Sequence, residues 1–345
     1  GITAAPNDSR AVQPPVPPYL RARVAGVRAS STPPELSRCD LSGSLPTFGT
    51  LRVEVASAQS TPLQYGVDES YSLELSKDAG MGGTLRAATE WGALRGLETF
   101  VQLAQPTGHG GVVLCGLPLT LRDSPSFGWR GLLLDTSRHF LPVRSSLLPM
   151  IEAAAALKLN VLHLHLSDAH SFPIGLTAEP KLAAEGAYHP SLVYTVEELK
   201  AVVGFAHARG VRVVPELDMP AHTASWAFGR PDVVVSCPER VSADEEGLEH
   251  GANKAALHPL LEETYTLIEQ LLAEMAGIFP DDFLHLGGDE VDGDCWLSDP
   301  LIHAWARKGP RRGGWKAALQ ALFVGRVKAI AASLGKRVIL WDDAL

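Results

Sequence analysis

The sequence predicts an α/β protein: a (β/α)8 TIM-type barrel of which about the first five β/α units are present, preceded by a small α+β domain. Three observations point there. Beyond Phe127, apolar runs of strand length alternate with segments of helical periodicity, the rhythm of parallel sheets. The runs end in clusters of polar residues, "DTSRH", "HLSD", "PELDMPAH" and "GGDE", and barrels carry their sites at C-terminal strand ends. No glycine-rich phosphate loop follows the first of these strands, which disfavours a doubly wound nucleotide fold.

The first ~35 residues, rich in Pro, Ala, Arg and Ser, read as an extended leading segment. "SYSLELS" then alternates, with Tyr71, Leu73 and Leu75 on one face, as a half-buried strand does. "TEWGALRGLETFVQLA" places Trp91, Leu94, Leu97 and Val101 at helical spacing, and "GGVVLCGLPLTLRD" returns to strand composition. The expected division is an α+β domain over 1–126 and a barrel over 127–345.

In the barrel, "RGLLLDTS" and "NVLHLHLSD" read as strands buried on both faces, with "SSLLPMIEAAAALKL" helical between them. Thr195 and Glu198 have capping-box spacing ahead of a helix that Gly210 stops. "VRVVPELDMP" is the third strand. A helix follows with Leu261, Tyr265, Ile268, Leu272 and Met275 on one face. "FLHLGGDEV" is the fourth strand, and "KRVILWDDAL" the fifth after a helix around Lys316 to Leu334.

The chain has 345 residues, 46% of them hydrophobic, enough for a large core, and its net charge of −9 argues against a nucleic-acid partner. No uninterrupted apolar stretch is long enough to span a bilayer. The chain opens at Gly1 without Met or a basic-then-apolar leader, so a removed signal segment or a fragment is expected. Four cysteines, Cys39, Cys115, Cys237 and Cys295, show no zinc spacing; they suit four buried thiols or an oxidising compartment. Asn7 opens a single glycosylation sequon.

Asp289 and Glu290 carry the chemistry. Neighbours in a strand face opposite ways, so both can enter one pocket only if the strand breaks at Gly287-Gly288. Two carboxylates in a partly dry pocket repel, and one is expected to rise in pKa and hold a proton. An acid beside an ionised partner is the apparatus of glycosidic cleavage. The other acidic doublets, Glu197-Glu198, Glu262-Glu263 and Asp281-Asp282, read as solvated. A competing reading of "HLH" with Asp168, His222 and Asp289 is a metal-dependent hydrolase, since His163 and His165 share a strand face.

"RGLLLDTSRHFLPV", "NVLHLHLSDAHSFPI", "GVRVVPELDMPAHTASW" and "FLHLGGDEV", in this order, resemble the β-N-acetylhexosaminidases of glycoside hydrolase family 20. "WGALRGLETFVQL" resembles the helix of the small domain that precedes their barrel. The resemblance runs from about Asp68 to Leu345 and is nearest to the eukaryotic lysosomal or secreted type. It implies a retaining exo-glycosidase that removes terminal β-linked N-acetylhexosamine, the substrate's acetamido oxygen acting as nucleophile through an oxazolinium intermediate.

By position, Glu290 becomes the general acid and base, and Asp289 the residue that orients the acetamido N–H. Arg138 grips sugar hydroxyls, Asp168 and His222 tune the acid, Glu216 supports the pocket and Trp341 forms an aromatic wall. His163, His165 and His285 are expected to be structural. The resemblance further implies a Cys237–Cys295 disulfide, no cofactor, no metal, a glycan partner and a possible homodimer, in a lysosomal or secreted setting. A non-catalytic carbohydrate-binding remnant is the alternative. Two departures stand out: Ala169 where many relatives carry an Asp, and an end at Leu345, before the strands expected to bring a tyrosine and further tryptophans. An incomplete product or a cut piece is therefore expected.

Overall fold

A computed structural model describes residues 2–4, 48–57, 59–78, 80–106, 112–237, 255–308 and 314–344. The leading Pro-rich segment, Asn7 and Cys39 lie outside the described residues. The chain divides into two compact units, one of residues 1–130 with 154–160 and 208–210, the other of 131–153, 161–207 and 211–345.

In the first unit, β1 (Ile2–Ala4), β2 (Leu51–Val55), β3 (Tyr71–Leu75), β4 (Gly83–Ala87) and β5 (Leu119–Asp123) form one sheet in the order β1-β2-β4-β3-β5. The alternation in "SYSLELS" is realised in β3, which buries Tyr71, Leu73 and Leu75. Helix α1 (Glu90–Leu103) starts where Thr89 Oγ1 accepts the Gly92 N–H at 3.1 Å, and Trp91, Leu94 and Leu97 join Tyr71, Leu73 and Leu85 in one core. Gly96 permits that approach, because a Cβ there would lie 2.3 Å from Leu85 Cδ1. The stretch read as strand before Asp123 is two strands, Val112–Leu114 and β5, in different sheets.

The second unit holds a parallel sheet of β6 (Gly131–Asp135), β7 (Val161–Ser167), β8 (Arg212–Leu217), β9 (Phe283–His285) and β10 (Arg337–Ile339), in the order β10-β9-β8-β7-β6. Helices α2 (Leu148–Ala156), α3 (Val196–His207), α4 (Glu262–Ile278) and α5 (Gly314–Ser333) connect successive strands. Sequential order with a helix between successive strands is the winding of a barrel arc; a doubly wound sheet would reverse its order. Five strands and four connecting helices of a TIM-type barrel are thus present among the described residues.

The capping box forms: Thr195 N–H donates to Glu198 Oε2 at 3.0 Å, and Glu198 N–H to Thr195 Oγ1 at 3.1 Å. Helix α4 buries Tyr265, Ile268, Leu272 and Met275 as its periodicity predicts.

Two expectations need correction. β6 is not buried on both faces: it is an edge strand with one neighbour, and Leu133 is 43% exposed. Asp281 is not solvated either. It is buried against Arg212, whose Nη1 lies 2.9 and 3.2 Å from its two oxygens. A carboxylate at the start of a central strand keeps its charge inside only by such pairing.

Candidate active site

The strand ends of the second unit converge on one chain of hydrogen bonds and ion pairs. β8 supplies its hub. Glu216 is fully buried, with His163 Nε2 at 2.6 Å and His165 Nδ1 at 3.0 Å from Oε2. Trp341 Nε1–H donates to Oε1 at 2.9 Å, and His285 Nδ1 lies 3.2 Å from the same oxygen. The rings of His163, His285 and Trp341 pack around it, His163 stacked on His285 and Trp341 tilted to both, with centroids 4.5 to 5.8 Å apart. Burial alone would raise the Glu216 pKa, but hydrogen bonds from His163, His165 and His285 hold it well below the usual carboxylate range.

A register shift between β7 and β8 extends the chain. Glu216 pairs with His165 but Leu217 with Ser167, so Leu166 is an extra residue in β7. Such a bulge re-aims the side chains beyond it, and His165 and Asp168, three apart, meet through Nε2 and Oδ2 at 2.9 Å. Arg138 Nη2 reaches the same oxygen at 2.8 Å while its Nη1 donates to Asp135 at 2.8 Å. Burial opposes charge on His165, yet its bonds to Asp168 and Glu216 prevail and push its pKa up to about 10. Asp168, buried but held by His165, His222 and Arg138, lies well below its ordinary value.

His222 comes next, its Nδ1 3.4 Å from Asp168 Oδ2, a long and poorly aligned contact of an ion pair. Its Nε2 faces Glu290 Oε2 at 3.5 Å, Asp289 Oδ1 at 3.7 Å and Asp218 Oδ2 at 3.8 Å. Burial again disfavours the cation, but Asp168, Asp218 and Asp289 raise the His222 pKa to about 9.

The glycine pair does what the doublet requires. β9 ends at His285, and Gly287 and Gly288 take φ of 65° and 106°, values glycine adopts without strain. A Cβ on Gly287 would fall 1.6 Å from Asp218 Oδ1, the atom that accepts the Gly288 N–H at 3.1 Å. His222 and Glu290 themselves take positive φ, 58° and 51°. Such conformations in residues other than glycine cluster at functional sites.

All seven residues singled out from the sequence, Arg138, Asp168, Glu216, His222, Asp289, Glu290 and Trp341, therefore lie on one connected network. Cys237 and Cys295 are disulfide-bonded, Cα atoms 5.2 Å apart, and Cys115 is disulfide-bonded too. Other members of the network, among them His163, His165, His285 and Asp218, lie outside those seven. His165, read as structural, is the bridge between Glu216 and Asp168; the shared face of His163 and His165 was the available signal. Asp218 was not singled out, although "PELDMP" places it two residues past Glu216, on the same strand face. It is also the carboxylate that burial pushes well above its ordinary value, aided by the charges of Glu216 and Asp289 and opposed by His222.

Comparison with known proteins agrees with this architecture. The family described as "Glycosyl hydrolase family 20, catalytic domain" matches residues 127–345, and "beta-acetyl hexosaminidase like" matches 10–103. The human protein "Beta-hexosaminidase subunit beta" is 39% identical over 277 residues, 80% of this chain and 47% of the relative. "Beta-hexosaminidase subunit A1" of Dictyostelium discoideum is 34% identical over 285 residues, 82% of this chain and 50% of the relative. Among solved structures, the Flavobacterium johnsoniae chitobiase superposes with a TM-score of 0.76 at 29% identity, covering 100% of this chain and 49% of that one. The chain spans about half the length of the curated relatives it matches. With more than half its residues matched by the catalytic-domain family, the chain belongs to glycosyl hydrolase family 20.

Proposed function

We propose that the chain carries the acid–base side of a retaining exo-glycosidase that hydrolyses terminal β-linked N-acetylhexosamine by substrate-assisted catalysis. Residues 127–345 hold this chemistry, and 1–126 form the accompanying α+β domain. The observation that carries the reading is the placement of Asp289 and Glu290 just past a broken strand end, both facing Nε2 of a histidine backed by Asp168.

In this mechanism Glu290, 59% exposed and so within reach of a ligand, gives its proton to the glycosidic oxygen as the C1–O bond breaks. The acetamido oxygen attacks C1, while Asp289 accepts the acetamido N–H and offsets the positive charge of the oxazolinium. Water, deprotonated by Glu290, then attacks C1 from the face the leaving group vacated. Asp168 and His222 set the proton affinity of Glu290. Arg138 spends two of its five N–H donors on Asp135 and Asp168 and offers the rest to sugar hydroxyls. With the indole N–H of Trp341 committed to Glu216, its ring face is left to pack on the acetamido methyl.

The setting is part of the same reading. No helix among the described residues is long and apolar enough to cross a membrane. The disulfide suits an oxidising compartment, which supports a lysosomal or secreted location. A glycan is the partner, and a homodimer is part of the proposal.

The test is turnover of an aryl N-acetyl-β-glucosaminide by the 345-residue chain. Glu290→Gln should lower kcat by ~10²–10⁴-fold, the range for losing a general acid. An unchanged rate would remove Glu290 from the role. Binding of N-acetylglucosamine without any turnover would favour the carbohydrate-binding alternative.

A further inference from the structure

His222 has an unmet requirement. Both its ring nitrogens are buried without a hydrogen bond of ordinary geometry, and Asp289 Oδ1 shares that condition. Its side chain is 2% exposed, and a buried polar atom left unsatisfied costs roughly 1–3 kcal/mol. Three carboxylate oxygens face Nε2 at 3.5, 3.7 and 3.8 Å, beyond hydrogen-bond range.

Those separations suit a cation between the groups. In a tetrahedral zinc site with bonds of ~2.0–2.2 Å, ligand atoms lie ~3.3–3.6 Å apart. The ligand atoms of Asp218, His222 and Asp289 all fall within 4.8 Å of one another, so small side-chain shifts close the shell, the cation displacing to solvent the proton on Nε2, since only the neutral ring ligates. The far nitrogen fits as well. A metal-ligating histidine sets its second nitrogen against a carboxylate, and Nδ1 faces Asp168, itself fixed by His165 and Arg138. Asp218 divides its oxygens: Oδ1 accepts from Gly288 N–H, and Oδ2 faces His222.

We propose that His222 Nε2, Asp218 Oδ2 and Asp289 Oδ1 form a site for one divalent cation of the zinc class, with Glu290 closing the fourth position. An imidazole among carboxylates selects zinc over calcium or magnesium, which take oxygen shells. Two other clusters meet the distance requirement, His163/Glu216/His285 and His165/Asp168/Asp218. In each, a close bond already links two members, His163 to Glu216 at 2.6 Å and His165 to Asp168 at 2.9 Å, which leaves no room for an ion. On the proposed function, the cation is an inhibitor. While they ligate it, Asp289 cannot hold the acetamido group and Glu290 cannot carry the proton.

Calorimetric titration of the folded 345-residue chain with zinc chloride tests the site without requiring turnover. One saturable equivalent is expected. Asp218→Asn and His222→Gln should each weaken binding by at least ~100-fold, and Asp168→Asn, an outer partner, by ~10–100-fold. His258→Ala should change nothing, since His258 faces the lone carboxylate of Asp299 at 3.3 Å. Absence of saturable binding, or binding that survives both ligand substitutions in variants with the parent's circular dichroism, overturns the site. Should those variants fold poorly, anomalous diffraction at the zinc edge from the parent decides. A peak ~2.0–2.1 Å from His222 Nε2 supports the site, and zinc bound only elsewhere refutes it. Failure of the hydrolase reading leaves all these outcomes intact.

Discussion

Each unit of the chain buries a carboxylate hub, and the two hubs are filled in opposite ways. In the first unit Glu69 receives Arg95 Nε at 2.7 Å, Arg130 Nη2 at 2.8 and 2.9 Å, and Asn160 Nδ2 at 3.0 Å. Its partners are guanidinium ions that stay charged at any working pH, and an amide. In the second unit Glu216 and Asp168 are held mainly by histidines, whose charge depends on protonation. The first network closes on itself. The second runs outward and ends in unmatched atoms on His222 and Asp289. A buried ionic cluster saturated by fixed charges is a strut; one built from titratable groups and left open at one end can bind and move protons.

Removing the strut gives the largest expected effect. Glu69→Ala removes the carboxylate that buried Arg95 shares with Arg130, which should cost ~3–5 kcal/mol. Urea denaturation measures it, and a loss under ~1 kcal/mol would end the distinction. Asp281→Asn is the control within the second unit. It leaves Arg212 buried but spares the histidines, so it should cost about 3 kcal/mol of stability without altering the pH dependence of turnover. A shifted pH profile would mean that the unit, rather than the chemistry of the pair, sets behaviour.

The histidine network should be pH-sensitive. The folded pKa values of His165 and His222, about 10 and about 9, lie above the 6.5 of the free side chain. Their contribution is therefore complete below pH ~6.5 and is lost as pH rises through 9 to 10, on the order of a few kcal/mol. Asp218, also raised, works in the same direction. Asp168 and Glu216, both depressed, lose their contribution only as pH falls below the ordinary carboxylate range. Denaturation midpoints measured at pH 6 and pH 9.5 should differ, and His165→Gln should flatten the difference. An equal fall in parent and variant would place the titration elsewhere.

The sequence exposed these two hubs unequally. Strand alternation, helix faces and the Thr195 cap were legible because each is a local pattern. Asp289 and Glu290 were legible because the glycines before them mark where a strand must break. Glu69 was invisible: it lies outside any strand, and its partners are 26, 61 and 91 residues away. Asp281 was misread for the same reason, its partner standing 69 residues back. His165 was judged by ordinary alternation, which joins residues two apart, whereas the Leu166 bulge joins it to Asp168 at three. Pairing at long range and one extra residue in a strand leave no local trace.

The smallest expected effect separates side-chain charge from backbone placement. Ser225 Oγ donates to the Asp168 carbonyl at 2.6 Å in the buried interior. That carbonyl keeps a second donor, Ser171 N–H at 3.3 Å, after Ser225→Ala, so the loss should be about 0.5–1.5 kcal/mol. The Asp168 carboxylate retains His165, Arg138 and the Ala169 N–H. If these charges and donors fix it, the variant keeps the parent's pH dependence and zinc affinity despite its lower urea midpoint. Should either property move with stability, Ser225 would be holding Asp168 against His222, and the open end of the network would begin at the loop that carries Ser225.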